Sequence, residues 1–399
     1  MAPIPRLRPS RGPAILSYGF RPFFLLGSLY AGIAVLAWLP MFHGELSVAT
    51  AFAPRDWHVH EMLFGYVAAV VTGFLLTAIP NWTGRLPIQG TPLLLLVSTW
   101  LAGRIAVTLS ASIGWMVAAV IDVAFLAVLA GAATREIVVG SNWRNLKIVA
   151  MIGVLAAANL AFHLEAHLRG SAEYATRVGI AAVVLLITLI GGRIVPSFTH
   201  NWLVRERAGR LPAPFGRFDI AIVAASTAAL ALWIVLPFGR VTAAGLFAAA
   251  MLQFIRLGRW AGDRAVAEPL VLILHIGYAF VPIGLLLAGA GALGLVPESA
   301  GVHAWTAGAV GTMTLAVMTR ASLGHTGRAL AASAATRAIY VAVVIAALTR
   351  IGAALAPEWS ELLLHITVIA WAGAFLGFAA VYAPILCSAR KSSPELMRT

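Results

Sequence analysis

The chain is poor in the residues that crosslink small folds or attach prosthetic groups covalently. Of its 399 residues only Cys387 is a cysteine, and 11% are charged. A single cysteine excludes an intramolecular disulfide, an iron–sulfur cluster held by four thiolates, and haem attachment through C-x-x-C-H. Any haem must therefore be held without a thioether link, most simply by histidine.

The sequence also lacks a polar segment long enough for a soluble domain. The longest polar connection covers about residues 199–216, and 61% of all residues are hydrophobic. Ordinary soluble chains are about 45–50% apolar and about 25% charged. The composition therefore predicts an all-α, polytopic membrane protein that forms a single integral-membrane domain over residues 1–399.

Apolar segments of spanning length recur along the whole chain and predict twelve transmembrane helices. The segment at 240–257 is short, and only a brief interruption separates the third segment from the fourth. The predicted spans are 20–42, 57–79, 92–110, 113–133, 146–168, 176–198, 217–237, 240–257, 267–293, 301–321, 335–356 and 359–386.

The net charge of +13 follows the predicted topology. With the N-terminus in the cytoplasm, most Lys and Arg residues fall on the cytoplasmic side, as the positive-inside rule requires. The smaller outer set is Arg55, Arg104, Arg169, Arg177, Arg240 and Arg350. Both termini are therefore predicted to be cytoplasmic. No basic face with interleaved aromatic residues stands outside the membrane, so nucleic acid is not a predicted partner.

The second predicted span opens with W-H-V-H-E at 57–61, where its outer end meets water. Titratable metal-ligand side chains at such a place predict a functional site. His58 and His60 lie about 200° apart on a regular helix, so both bind one metal only if the helix starts after His58. Asp56 is a candidate N-cap that would separate them. Glu61 is a candidate carboxylate to orient His58.

The ten histidines are unevenly placed. Those at or near predicted outer ends are His43, His58, His60, His163, His167, His303 and His365. Those toward the inner side are His200, His275 and His325. Such histidines are either simply solvated or ligands of a metal, since imidazole is the commonest metal ligand. His163 and His167, four residues apart on one helix face, suit either interpretation.

Two further polar residues fall inside predicted spans. Asp122 lies near the middle of the fourth span, where an unpaired carboxylate is costly. The alternatives are a proton relay or an ion pair with Arg104, and the ion pair is favoured. Arg193 is positioned either to hold a haem propionate or a quinone carbonyl, or to extend to the inner surface. His275, about 12 Å deep from the cytoplasmic side, needs a partner.

Several motifs together resemble those of the NnrS family, from about residue 18 to 330 and more weakly to the end. They are G-F-R-P-F-F at 19–24, W-H-V-H-E-M at 57–62, G-F-L-L-T at 73–77 with N-W-T-G at 81–84, G-G-R at 191–193 with Pro196 and F-T at 198–199, and M-T-R at 318–320 with G-H-T-G-R at 324–328.

The resemblance implies a twelve-span protein of the bacterial inner membrane that carries haem b and copper. It also implies a role in nitric oxide metabolism and nitrosative-stress tolerance. The histidines that match the motifs are the predicted metal ligands: His58, His60, His163, His275, His303 and His325. The predicted cofactor-binding arginines are Arg21, Arg193, Arg320 and Arg328.

We expect His60, His163 and His303 to form an outer metal cluster, with His58 next to it. His275 and His325 would form an inner site or support a haem. One interpretation is reduction of nitric oxide with electrons from quinol or a periplasmic donor, and Asp122 as a proton carrier. The alternatives are a nitric oxide binder or sensor without turnover, and a transporter with a structural haem.

Overall fold

The computed structural model describes residues 12–206 and 208–391. Every regular element within these residues is a helix, which confirms the all-α prediction. A helix satisfies all backbone hydrogen-bonding groups internally, as the apolar core of a bilayer demands.

Twelve long helices correspond to the twelve predicted segments, and we label them α1 to α12. Their bounds are Phe20–Phe42, Pro54–Thr83, Thr91–Thr108, Trp115–Val139, Leu146–Arg169, Glu173–Glu206, Arg217–Val235, Arg240–Gly258, Pro269–Ala292, 298–325, Ala334–Leu355 and Ser360–Leu386.

Within the described residues, 11 helices are long and apolar enough to cross a membrane. The chain is therefore a membrane protein. The helix outside that set is α10, which contains the predicted span 301–321. Its sequence around Trp305 is dominated by Gly, Ala and Thr rather than Leu, Ile and Val, which lowers its apolar content.

Two helix boundaries illustrate where local sequence decides. The third and fourth segments are separate, as predicted, and Gly114 provides the left-handed φ of 87° immediately before α4. The sixth helix is longer than the predicted 176–198, because it continues through Pro196 to Glu206. The predicted polar loop at 199–216 therefore begins only after Glu206.

The chain divides into two compact units, each described by itself. The first unit comprises Met1–Gly179, Ala321–Leu330 and Phe375–Thr399, and the second comprises Ile180–Arg320 and Ala331–Ala374. The first unit thus contains α1 to α5, and the second contains α7 to α9 and α11. The single domain over 1–399 stays a prediction.

In the described parts of the chain each unit contains one π-helical stretch, Glu61–Val67 in α2 and Ala304–Gly311 in α10. Each stretch follows a short α-helical segment that ends in a histidine, His60 or His303. Stretches of π-helix are rare and frequently mark functional positions. Both therefore direct attention to the residues around them.

Candidate metal centre

Five helices of the first unit contribute polar side chains to one buried cluster. A carboxylate or guanidinium in the apolar interior is tolerated only when paired and hydrogen-bonded. The members are Tyr30 from α1, His60 and Glu61 from α2, Arg104 from α3, Asp122 from α4, and Asn159 and His163 from α5. All are buried except Tyr30, which is half-buried.

Four of these side chains form a closed carboxylate–arginine ring: His60, Glu61, Arg104 and Asp122. The imidazole donates from Nδ1 to Glu61 Oε1 at 3.0 Å and from Nε2 to Asp122 Oδ2 at 3.1 Å. The guanidinium donates from Nη1 to Glu61 Oε2 at 2.6 Å and from Nη2 to Asp122 Oδ1. The ion pair predicted between Arg104 and Asp122 is therefore confirmed.

Two glycines leave room for the ring. A Cβ at Gly65 would lie 2.8 Å from Arg104 Nη1, and one at Gly103 would lie 2.9 Å from Asp122 Oδ1. Both distances are shorter than real Cβ contacts, so only glycine lets these helices approach the polar groups this closely. The carbonyl of Gly65, within the π-helical stretch, also accepts a hydrogen bond from Trp100 Nε1 at 2.9 Å.

Three donor atoms converge on one point beside the ring: His60 Nε2, Asp122 Oδ2 and His163 Nε2. Each imidazole nitrogen lies 3.1 Å from the carboxylate oxygen, and all three atoms lie within 4.8 Å of one another. Ligands bound about 2.0–2.2 Å from a first-row metal are separated by about 3–3.5 Å. This metal triad therefore has the composition and spacing of a site for one transition-metal ion.

The apolar surroundings favour an ion over a haem. The rings of Phe52, Phe64 and Phe162 each lie 5.2 Å from the His60 ring, centroid to centroid. Asn159 Oδ1 lies 2.9 Å from His60 Nε2, and its amide nitrogen donates to Asp122 Oδ2 at 2.8 Å. A porphyrin needs an open face at the ligating nitrogen, and these contacts occupy it. The metal triad does not fit a haem.

The charges of the ring balance only with one additional positive charge. Glu61 and Asp122 contribute two negative charges and Arg104 one positive charge. Both nitrogens of the His60 imidazole face only oxygen acceptors, so without a metal the imidazole carries a proton on each nitrogen. A metal bound at His60 Nε2 would take the place of one of these protons.

The structure separates His58 from His60. The helix begins at Pro54 with Ala53 as N-cap, so Asp56 is not the N-cap, and it accepts from the Ala172 amide at 3.3 Å. The start lies before both histidines because proline favours the first helical turn.

Consequently the two rings have different partners. The His58 ring stacks on Trp38 at 4.3 Å, whereas Glu61, expected to orient His58, contacts His60 instead. The structure therefore places only His60 of this pair in the metal triad.

His163 and His167 also have different surroundings, although they are one turn apart on α5. His163 is buried beside His60, with ring centroids 5.0 Å apart. His167 is exposed and stacks on Trp115 at 4.3 Å. The predicted meeting of His60 and His163 is thus observed, while the predicted role of either as a metal ligand stays a prediction.

Two predicted histidines lie in the second unit, and their tautomers follow from their partners. His303 donates from Nδ1 to the Ser299 carbonyl at 2.7 Å, so Nε2 bears the lone pair. His275 Nε2 lies 2.8 Å from Thr199 Oγ1, whose own hydrogen goes to the Val195 carbonyl. His275 therefore donates from Nε2, which supplies the partner it was expected to need.

The lone pair of His275 lies on Nδ1, 2.5 Å from the position of a Cβ at Gly262. The Gly262 backbone therefore occupies the space in front of that nitrogen, and this side of the ring does not fit a haem. His325 lies in the first unit, where its ring stacks on Tyr18 at 5.9 Å.

The predicted cofactor-binding arginines occupy different places. Arg193 lies within α6, and the guanidinium of Arg320 lies 4.1 Å from the centre of the Phe198 ring. Arg21 donates to the carbonyls of Leu386 and Ser388 at the end of α12. Arg328, in the first unit with Arg21, donates from Nη2 to Ser388 Oγ at 2.9 Å.

Sequence reasoning missed Tyr30 and Asn159. The Tyr30 hydroxyl donates to Glu61 Oε2, and Asn159 bridges His60 and Asp122. A neutral polar residue in a span is a weak signal by itself. Asn159, however, lies four residues before His163 and therefore on the same helix face, which is a usable signal.

A second buried polar network, also missed, lies in the second unit. Arg256 donates from Nε to Asp219 Oδ1 at 2.9 Å, and from Nη1 to Tyr278 Oη at 2.9 Å and the Thr188 carbonyl at 3.1 Å. The Tyr278 hydroxyl donates to Gln253 Oε1 at 2.8 Å. One carboxylate and one guanidinium make this Arg256 network neutral.

Comparison with known proteins gives one match of nearly full length. No curated protein matches the chain. A protein-family model described as "NnrS protein" matches residues 14–390. This range includes every member of the metal triad and all the motifs from which the resemblance was drawn, and the chain therefore belongs to the NnrS family.

Proposed function

We propose that the protein binds one copper ion at the metal triad and uses it in nitric oxide metabolism or nitrosative-stress defence. The observation that carries the proposal is the convergence of His60 Nε2 and His163 Nε2, each 3.1 Å from Asp122 Oδ2, with all three atoms buried and within 4.8 Å of one another. Membership of the NnrS family supports copper and nitric oxide as the relevant metal and substrate.

Charge balance favours a monovalent state of the ion. If Cu(I) replaces the proton on His60 Nε2, the charges of Glu61, Asp122, Arg104 and the ion sum to zero. A divalent ion would add an uncompensated positive charge in an apolar region, which is costly. When bound, copper supplies one-electron redox chemistry, and imidazole is a suitable ligand for it.

The residues around the metal triad would hold the ligands in place and keep water out. Arg104 pairs with Asp122 and thereby fixes the carboxylate, and Asn159 holds the same carboxylate from the other side. Such partners of ligands raise metal affinity about 10–100-fold. The phenyl rings of Phe52, Phe64 and Phe162, which surround His60, would exclude water more strongly than a small uncharged gas such as nitric oxide.

For the reaction, we propose reduction of two nitric oxide molecules to nitrous oxide and water. A quinol would supply the two electrons and two protons and leave as the quinone. A quinol is soluble in the bilayer and can therefore reach a protein that is embedded in the membrane. A periplasmic donor is the alternative source of electrons, with protons then taken from water.

We propose that a haem b, as the family resemblance implies, binds elsewhere than at the metal triad. His303 is the best supported ligand, because Nδ1 donates to a carbonyl and Nε2 bears the lone pair. This is the usual arrangement of a metal-binding histidine. His58 and His325 remain predicted ligands, with Arg193 and Arg320 as predicted cofactor-binding residues. The predicted role of His275 is not extended to the haem, because its Nε2 donates to Thr199 and its Nδ1 side does not fit one.

We further propose that α10 is the twelfth span, that both termini are cytoplasmic, and that the membrane is the bacterial inner membrane. The π-helical stretch and the Gly-rich sequence of α10 suit a helix that packs among others rather than facing lipid. Cys387, which is exposed and near the C-terminus, allows a direct test. A membrane-impermeant thiol reagent should label it in inverted vesicles and not in right-side-out spheroplasts.

The metal proposal is tested by copper content. His163→Ala and Asp122→Asn should each lower copper from about one per chain to a small fraction, measured by elemental analysis of the purified full chain. His167→Ala, one turn away on the same helix, is the matched control and should keep full copper. Full copper in His163→Ala protein that remains monodisperse would refute the site.

The functional proposal is tested by anaerobic nitric oxide consumption with a reduced quinol analogue. Continuous consumption with nitrous oxide release supports catalysis. Uptake that stops at one or two equivalents supports the binder or sensor. No uptake, together with solute flux in vesicles, supports the transporter. Copper content and turnover are measured on the same samples, so that failure of the copper site can be distinguished from failure of the proposed nitric oxide reduction.

A further inference from the structure

Arg21 and Arg328 meet at one residue of the first unit. Arg21 Nη1 donates to the carbonyls of Leu386 and Ser388 at 2.7 and 2.6 Å. Arg328 Nη2 donates to the hydroxyl of Ser388 at 2.9 Å. Two guanidinium groups are thus held against the same serine, although like charges repel.

No carboxylate within the described part of the chain pairs with either guanidinium, and two of their N–H groups have no acceptor. Arg21 is 3% exposed, and its Nε is buried without a hydrogen-bond partner. Arg328 Nη1 is likewise buried without a partner. An unmet buried donor destabilises the fold, and more so when the group is charged.

The backbone around the pair is fixed from both sides. Gly327 adopts a φ of 71°, and a Cβ there would meet the Lys391 carbonyl. The Lys391 amide donates to the Thr326 carbonyl at 3.0 Å. Arg21 lies in the first turn of α1, where the helix dipole favours negative charge rather than a cation. Among the described residues, the position is therefore preorganised and lacks a negative charge.

We propose that Arg21 and Arg328 form a binding site for a phosphate-type oxyanion. A guanidinium presents its N–H groups in a planar fork that matches the oxygens of a phosphate. An oxyanion between the two forks would accept from Arg21 Nε and Arg328 Nη1 and offset both charges. Basic pockets at the cytoplasmic side of membrane helices commonly hold anionic lipid headgroups.

Two sources offer this chemistry, a phospholipid headgroup and free phosphate, and binding measurements separate them. The full chain in detergent is titrated with phosphatidylglycerol, phosphatidylcholine and inorganic phosphate, and bound ligand is counted by native mass spectrometry. Retention of phosphatidylglycerol alone identifies the anionic headgroup. Competition by inorganic phosphate at equal concentration identifies the free ion. Binding of neither overturns the proposal.

The variants are Arg328→Gln, Arg328→Lys and the control Arg337→Gln. Arg337 is an exposed arginine of α11. Arg328→Gln should weaken oxyanion binding about tenfold or more, because it removes one charge-assisted contact. Arg328→Lys should bind with intermediate affinity, since it keeps the charge and loses the fork. Arg337→Gln should bind like the wild type.

Unchanged oxyanion affinity in Arg328→Gln, with the protein monodisperse, overturns the site. If that variant fails to fold, Arg328→Lys and the salt dependence of wild-type binding decide. Oxyanion affinity that changes neither in Arg328→Lys nor with salt concentration overturns the proposal. Haem content measured in parallel separates it from a propionate-binding role: loss of haem with unchanged phosphate affinity overturns the assignment.

Discussion

The carboxylate–arginine ring of the first unit and the Arg256 network of the second unit are built from the same kinds of groups. Each is buried among helices, and each centres on a guanidinium that donates to a carboxylate. They differ in charge. The Arg256 network has one carboxylate, whereas the ring has two, Glu61 and Asp122, around a single Arg104.

The difference in charge suits the two networks to different roles. The neutral Arg256 network can support the fold by itself, whereas the carboxylate–arginine ring is suited to binding a cation. Arg256 and Asp219 neutralise each other, and the Tyr278 hydroxyl accepts from Arg256 and donates to Gln253. The ring of the first unit needs another positive charge. It has two imidazoles beside one carboxylate oxygen, so a proton or a metal ion supplies that charge.

The largest expected effect comes from Arg104→Met. The substitution leaves two carboxylates buried without their main cation, and breaking a buried pair in this way costs about 3–5 kcal/mol. We expect loss of folded, monodisperse protein or a large fall in Tm, measured by thermal unfolding in detergent. A Tm within a few degrees of the wild type would contradict the charge count for the ring.

Removal of the metal should have the next largest effect. An ion present at about 100-fold its Kd stabilises the folded state by about 2.7 kcal/mol. A Cu(I) chelator should therefore lower the Tm of the wild type and of His167→Ala, but not that of His163→Ala. Equal shifts in all three proteins would place the metal elsewhere.

Gly65→Ala should destabilise the protein by about 1–3 kcal/mol, because the added Cβ would meet Arg104 and Glu61. Gly131→Ala is the matched control, since no atom lies within 4 Å of a Cβ there. The control should be neutral or stabilising by up to about 1 kcal/mol. Chemical unfolding in mixed micelles compares the two. Equal stabilities would show that Gly65 is not needed for the ring.

The double variant Asp219→Asn/Arg256→Met tests the neutral network. Replacement of both partners of a buried neutral pair is often close to neutral in stability, so we expect a change of about 1 kcal/mol. Asp122→Asn/Arg104→Met should cost several times more, because Glu61 is left without its cation. Equal losses in the two double variants would remove the distinction between the networks.

The smallest effect is expected at an exposed ion pair, Arg210 with Asp263, at 2.5 Å. The hydrogen bond from Arg210 lowers the pKa of Asp263, so its stabilisation is present above the carboxyl's unfolded pKa and is lost as the pH falls through the folded pKa. Both side chains are more than half exposed, so Asp263→Asn should cost less than about 1 kcal/mol. A larger loss at neutral pH would contradict this ranking.

The sequence was sufficient for the helices and for part of the metal triad. Apolar length predicted the spans, because the hydrophobic segments are long and separated by turn residues such as Gly114. The end of α6 was missed because Pro196 is accommodated inside the helix. The Arg104–Asp122 pair was predicted because two opposite charges in adjacent spans have few other partners.

The remaining parts of the site depend on helix rotation, which sequence spacing does not specify. Nothing in the spacing of His58 and His60 says which of them faces α4 and α5. The contact of Glu61 with His60 arises where the π-helical stretch begins. Tyr30 carries no charge and gives no signal until its neighbours are known, whereas the signal of Asn159 is only its position four residues before His163.

The π-helical stretch of α2 has a consequence for how this helix tolerates length changes. A π-turn holds about one residue more than an α-turn, so each such turn carries an insertion relative to a regular helix. Deleting one residue between Glu61 and Val67 would therefore give a regular α-turn and keep the helix after it facing nearly as it does now. A deletion between Val67 and Leu75 would instead turn the rest of the helix by about 100° about its axis. Leu75 and Leu76, now buried, would keep their side in the first case and lose it in the second.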